Sequence, residues 1–149
     1  MRLTTFTDYA LRVLLYVATA PEGRANIAEI AHKYGVSENH VVKVVHQLGK
    51  AGLLVNTRGR GGGLRLARPA SSINIGHVVR VTEEPSVLVE CFDPSGKCAI
   101  TSACRLAGVL AKAHAAFYEV LDGLTLADLL EKPRRLTHIL HSITLENAR

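Results

Sequence analysis

The sequence predicts a mainly α-helical chain carrying one small β-hairpin, and three observations predict it. Apolar residues recur at helical spacing along much of the chain. Two of the helical segments are joined by a short turn containing glycine, Tyr34-Gly35-Val36. Just after them, two strand-like runs flank the tip Arg58-Gly59-Arg60-Gly61-Gly62-Gly63. With 48% hydrophobic and 21% charged residues, the 149-residue chain has the composition of a globular protein rather than a disordered one.

The first helix covers residues 5–20, where Phe6, Ala10, Val13, Leu14 and Val17 form one apolar face. Leu11, Leu15 and Ala18 add a second, leaving a narrow polar strip with Asp8 and Arg12, so this helix packs against two neighbours at once. Asn26 followed by Glu29 resembles a capping box and opens a short helix to about Lys33. Ser37 is a natural N-cap for a third helix reaching about Ala51, where Gly52 stops it. Leu53-Leu54-Val55 and Leu64-Arg65-Leu66 are the arms of the hairpin, which in this context is a wing. The fold class that follows is a winged helix-turn-helix.

Pro69-Ala70-Ser71-Ser72 marks a break before a short helix over about 75–81. Residues 82–103 hold Pro85, Pro94, Gly96 and two cysteines without a sustained period, and are expected to be an ordered loop. A long helix begins near Cys104, with a stripe of Leu106, Leu110, Ala113, Phe117 and Leu121. Small residues stand on its other side, and a stripe of this length suggests a dimerisation helix that pairs with its copy in a second subunit. Weaker helices over 125–145 close the end.

The net charge of +5 is unevenly placed. Residues 1–81 carry 11 Lys and Arg against 4 acidic residues, whereas residues 82–149 carry 7 against 9. The amino-terminal part is the one that can meet a polyanion. Arg2, the apolar stretch from Tyr9 to Ala20 and Ala18-Thr19-Ala20 imitate a secretory signal, but Asp8 and Arg12 break the run. It is also short of the roughly 20 apolar residues that span a bilayer. A cytoplasmic location is the expectation.

On the third helix, burying Val41, Val44, Val45 and Leu48 throws Asn39, Lys43, His46 and Lys50 outward. Asn suits an adenine edge in the major groove, and Lys suits guanine or phosphate. A helix face of this kind is more often simply solvated; the adjacent wing tips the balance, because Arg58 and Arg60 on a glycine hairpin can enter a minor groove. The glycine tip is not a nucleotide-binding loop, since no G-x-x-x-x-G-K-[ST] run followed by a helix is present. No nucleophile motif or cofactor loop points to an enzyme.

Cys91, Cys98 and Cys104, spaced x6 and x5, offer three thiolates within fourteen residues. In a reducing compartment they read as metal ligands or redox thiols rather than disulfides. Thiolates suit zinc and iron–sulfur clusters alike, and the spacing leaves both open, although the paired C-x2-C of structural zinc sites is absent. Lys97, Arg105 and the helix start at Cys104 favour an anionic group. A fourth ligand is to be sought among seven histidines, none inside the cysteine segment, or at Asp8, whose other reading is an i,i+4 pair with Arg12.

Taken together, several segments resemble a bacterial family of iron–sulfur winged-helix regulators that includes IscR and RirA. They are Met1-Arg2-Leu3-Thr4 with Phe6-Thr7-Asp8-Tyr9, the run Val36-Ser37-Glu38-Asn39-His40-Val41-Val42-Lys43, the wing from Arg58 to Leu66, Ile75-Gly76-His77-Val78-Val79-Arg80, and the three cysteines with Arg105-Leu106. The resemblance covers nearly the whole chain. It implies that residues 1–81 bind DNA, residues 82–104 form a cluster-binding loop, and residues 105–149 hold the dimerisation helix and C-terminal helices. It implies a homodimeric repressor on double-stranded operator DNA, read by Ser37, Asn39, His40, Lys43, Arg58, Arg60 and Gly61. Within the family, the nitric-oxide-responsive repressors are the most similar. In these an aspartate on the first helix of the partner subunit joins three cysteines around a 4Fe-4S cluster, and Asp8 stands at that place. IscR-like members hold a 2Fe-2S cluster with a histidine shortly after the third cysteine, where this chain has Leu106, Ala107 and Gly108; RirA-like members lack the aspartate. A 4Fe-4S cluster is therefore preferred, with 2Fe-2S the alternative.

Overall fold

Side-chain caps start the first four helices. A computed structural model describes residues 2–57, 59, 62–83, 89–93, 95–130 and 133–142, with the side chains of Cys91, Thr101 and Pro133 outside that description. Helix α1 spans Thr5–Thr19 behind the N-cap Thr4, and α2 spans Ile27–Tyr34 behind Asn26, whose side chain accepts from the Glu29 amide at 2.8 Å. Gly35 closes α2 in the left-handed conformation at φ 63°, which costs glycine nothing. Ser37 caps α3, Glu38–Lys50, and Asn74 caps α4, Ile75–Thr82. Both expected caps of the helix-turn-helix, Asn26 and Ser37, are therefore present.

Strands β1, Leu54–Thr57, and β2, Gly63–Leu66, form an antiparallel pair with Leu54 opposite Leu66 and Thr57 opposite Gly63. The expected arms are shifted by up to two residues, since the ladder continues through Asn56 and Thr57 toward the tip. Ala25 fastens the wing to the segment before α2 through paired backbone bonds with Leu64, at 3.0 and 2.8 Å. That pairing brings Gly63 so close that a Cβ there would lie 2.9 Å from the Ala25 carbonyl. Arg68 reaches back to the Gly52 and Ala51 carbonyls and so closes the C-terminal end of α3.

One core joins these parts. Leu14, Ile30, Val41, Val44, Leu48, Leu53, Leu64, Ile73 and Val78 are almost fully buried, and Leu126 and Leu140 from beyond α5 belong to the same cluster. Each such leucine contributes about 1.5–3 kcal/mol by leaving water. Helix α1 packs on α3, α4, β2 and α6, in keeping with its two apolar faces. Beyond a 3-10 turn at Ala70–Ser72, the cysteine segment holds two more, Glu90–Phe92 and Thr101–Ala103. Helix α5 spans Arg105–Asp122, and after a 3-10 turn at Asp128–Leu130 helix α6, Pro133–His141, returns to α1. Among the described residues, no helix is long and apolar enough to cross a membrane.

Candidate nucleic-acid interface and metal site

Helix α3 buries Val41, Val44, Val45 and Leu48, and its outward face carries exposed Asn39, Lys43, His46 and Lys50. Ser37 is occupied in holding that helix: its Oγ accepts from the His40 amide at 3.4 Å and shares a hydrogen bond with His40 Nδ1 at 3.0 Å. The pair stiffens the first turn, where Asn39 and His40 are exposed. Sequence reasoning missed Val42. It is 48% exposed on the flank of the same face, and an apolar side chain there suits a thymine methyl in a major groove. The signal was a β-branched residue outside the buried set.

Of the wing residues, Arg58, Arg60 and Gly61 lie outside the described residues. Around them the hairpin is tightly turned. The Gly62 amide donates to the Gly59 carbonyl at 2.9 Å, and a Cβ on Gly62 would collide with the Thr57 carbonyl. Gly62 is therefore a position where any larger residue would collide with the backbone.

The cysteine segment is built differently. Cys91 lies in the first of its 3-10 turns, with its side chain outside the described residues; Cys98 and Cys104 are half-buried. Cys104 is the N-cap of α5, and no side chain caps that terminus. The first-turn amides of α5 and the positive end of its dipole lie at this position, a setting that suits an anionic group. Sulfur donors at such a site fit a thiolate-bound anionic iron–sulfur group.

Asp8 lies in the first turn of α1, half-exposed and paired with Arg12, with Nε donating to Oδ1 at 3.0 Å and the second guanidinium nitrogen 2.8 Å from Oδ2. This is the i,i+4 pair expected as the alternative reading of Asp8. No group of three or more His, Cys, Asp or Glu close enough to hold a metal occurs among the described residues of one chain. The residue after Asp8, Tyr9, meets α3: its ring centroid lies 6.2 Å from that of His40. On the other side, Arg12 stands 5.7 Å over the Tyr34 ring, whose hydroxyl donates to the Arg12 carbonyl at 3.1 Å. Burial pushes the Tyr34 hydroxyl up to about 12, so it remains a donor at all ordinary pH.

The expected dimer stripe on α5 is divided. Leu106 is 60% exposed and Ala113 is exposed, whereas Leu110, Phe117 and Leu121 are half-buried, Leu121 against the core. Val109 and Val120 are also exposed, at 60% and 66%. Leu106, Val109, Ala113, Ala116 and Val120 alternate by three and four residues, the spacing of a two-helix seam.

A family model described as "Rrf2: Iron-dependent Transcriptional regulator" matches residues 3–132. Among solved structures, IscR of T. potens is 29% identical with a TM-score of 0.70, over 87% of this chain and 86% of its own. CymR of Staphylococcus aureus is 27% identical with a TM-score of 0.69, over 86% and 97%. CymR of B. subtilis, the global cysteine regulator, is 29% identical with a TM-score of 0.70, over 87% and 95%. The hairpin and helices described above are the winged helix of such regulators.

Proposed function

This chain belongs to the Rrf2 family of transcriptional regulators, whose members bind DNA, and within it we propose an iron–sulfur-dependent repressor of the nitric-oxide-responsive type represented by NsrR. It binds double-stranded operator DNA as a homodimer, the recognition helices α3 entering successive major grooves and the wings, with Arg58 and Arg60, the flanking minor grooves. Cys91, Cys98 and Cys104 of one chain would hold the cluster, 4Fe-4S in preference to 2Fe-2S, together with the partner subunit's Asp8. When bound, the cluster supplies the iron atoms that nitric oxide attacks.

The observation that carries this reading is the contact between Tyr9 and His40. Asp8 is adjacent to Tyr9, and His40 lies in the first turn of the recognition helix, bonded to its cap Ser37. A pull on Asp8 from across the dimer is thus felt at the turn that carries Asn39. A carboxylate is a harder and weaker partner for such a centre than thiolate, and Arg12 stands ready as its alternative. Asp8 therefore exchanges a partner between subunits for one in its own chain at low cost.

Two measurements test this. Anaerobically purified protein is expected to contain iron and acid-labile sulfide; zinc without sulfide would leave only a zinc-stabilised module. Asp8→Ala is expected to keep the fold and uncouple operator binding from nitric oxide. Unchanged nitric oxide sensitivity would remove Asp8 from the mechanism. The likeness to CymR is as close as that to IscR, which favours one second reading, a family member responding to another signal such as iron supply or redox state. Operator release on iron chelation or oxidation, and none with nitric oxide, would identify it.

A further inference from the structure

Helix α4 is gripped at both ends by groups that the reading above does not use. At its start, the Asn74 side chain does two jobs. Its oxygen caps α4 by accepting from the His77 amide at 2.9 Å, while its nitrogen donates to the carbonyls of Asp122 at 2.7 Å and Leu124 at 3.3 Å. The Ile75 amide donates to the Leu124 carbonyl at 2.9 Å. Nearly two turns on, Arg80 grips the Asp122 carboxylate with two nitrogens, at 2.5 and 2.7 Å, and its guanidinium lies 4.3 Å from the Tyr118 ring centroid. Gly76 is buried beneath this fork, and a Cβ there would overlap the Asp122 carboxylate. The last turn of α5 is therefore fixed to α4 in direction as well as in place, because a bidentate planar pair stacked on a ring resists rotation.

At its other end, α4 meets the recognition helix. Gln47, half-buried one turn beyond Lys43, donates from Nε2 to the Val81 carbonyl at 3.0 Å. Thr82 is locked to α1 by a buried hydroxyl bond to Thr7 at 3.0 Å. A continuous series of hydrogen bonds and packed turns thus runs from Asp122 on α5, through Arg80 and Val81 on α4, to Gln47 on α3. It spans two segments far apart in sequence, and each step has a defined geometry.

We propose that Gln47 and the Arg80–Asp122 pair are positioning residues that set the angle of the recognition helix relative to the axis of α5, and thereby the half-site spacing that a dimer accepts. The inference rests on the reading of the chain as a homodimer paired through α5. With α5 as the shared axis, any slack between α5 and α3 is doubled across the two reading heads. One base pair added between half-sites turns one of them by about 35° around the duplex, so a stiff link rejects it and a slack link tolerates it.

The test uses the full chain and a duplex selected from a randomised pool with the wild-type protein, remade with one base pair inserted or removed at its centre, plus a duplex holding one half-site. Gln47→Leu removes the donor at similar volume, and Asp122→Asn removes the charge at the same size. The wild type is expected to lose about tenfold or more in affinity when the spacing changes, equivalent to about 1.4 kcal/mol. Both variants are expected to lose most of that discrimination, binding the native spacing more weakly and the altered spacings nearly as well, with half-site affinity unchanged. Variants that keep full spacing discrimination would overturn the inference, as would variants that lose half-site and full-site affinity equally, which is what damage to the fold does. A wild type indifferent to spacing would likewise overturn the inference, whereas a wild type that binds the full site no more tightly than one half-site would overturn the dimer reading on which it stands.

Discussion

The DNA-reading half and the cysteine-bearing half of this chain are built to different standards. Helices α1 to α4 each begin with a side-chain cap, from Thr4, Asn26, Ser37 and Asn74, and each contributes fully buried residues to the core. Helix α5, the longest, begins at Cys104 with no side-chain cap and contains no buried residue. The described part of the cysteine segment adds only 3-10 turns. The first half supplies most of the core, which Leu126 and Leu140 from beyond α5 complete. The second presents Cys104 at a helix start without a side-chain cap and exposed apolar residues along α5, the features on which the proposed cluster and pairing roles rest.

Paired substitutions separate the two halves, and core packing has the largest effect. Leu48→Ala removes a side chain with no exposure and is expected to cost about 2–5 kcal/mol, measured by denaturant unfolding. Leu106→Ala, at 60% exposure, is expected to leave the unfolding of a single chain nearly unchanged and to shift sedimentation toward monomer. An unchanged oligomeric state would show that the seam on α5 is not the interface.

Capping comes next. Ser37→Ala is expected to cost about 1 kcal/mol and to weaken DNA binding, because the cap also holds His40. Cys104→Ala caps nothing and is expected to leave folding almost unaffected while abolishing iron and sulfide content. A large loss of stability without any metal bound would make Cys104 a structural residue instead.

The smallest effect is in pH. Burial lowers the His141 imidazole below its ordinary value, opposed by its backbone hydrogen bond to Tyr16; the ring sits against Tyr16 at 4.3 Å and on the Thr19 hydroxyl at 3.0 Å. The unfolded chain then takes up the proton first as pH falls, so docking of α6 on α1 weakens on acidification below the ordinary histidine range and is complete above it. The protection of amides in residues 133–141, taken relative to their intrinsic exchange rates, is expected to fall between neutral and mildly acidic pH, and His141→Gln is expected to flatten that dependence. Equal pH dependence in the variant would assign it elsewhere.

Much of the reading half was legible because its signals are local. Asn26 with Glu29, Ser37, and the alternation of Val41, Val44, Val45 and Leu48 all act within two turns of chain. The rest depends on partners far apart in sequence. Nothing near Asp122 announces that it will meet Arg80, or that Gly76 is small to make room for it. Nor does the sequence around Leu140 show that α6 completes the core under α1. On α5 the wheel found the apolar residues but not what covers them: Leu110, Phe117 and Leu121 turn partly toward their own chain, while Val109 and Val120, left out of the stripe, are exposed. Arg58, Arg60 and Gly61 fall outside the described residues, so their DNA contacts rest on the sequence and the resemblance.

On the function proposed above, the winged helix reads DNA only while the cysteine segment holds an iron–sulfur cluster. That dependence is tested most directly by an anaerobic absorbance titration with nitric oxide, operator binding being followed in the same samples. Coloured protein that binds operator tightly is expected, with absorbance change and release running in parallel. Colourless metal-free protein that binds the operator with equal affinity would contradict it.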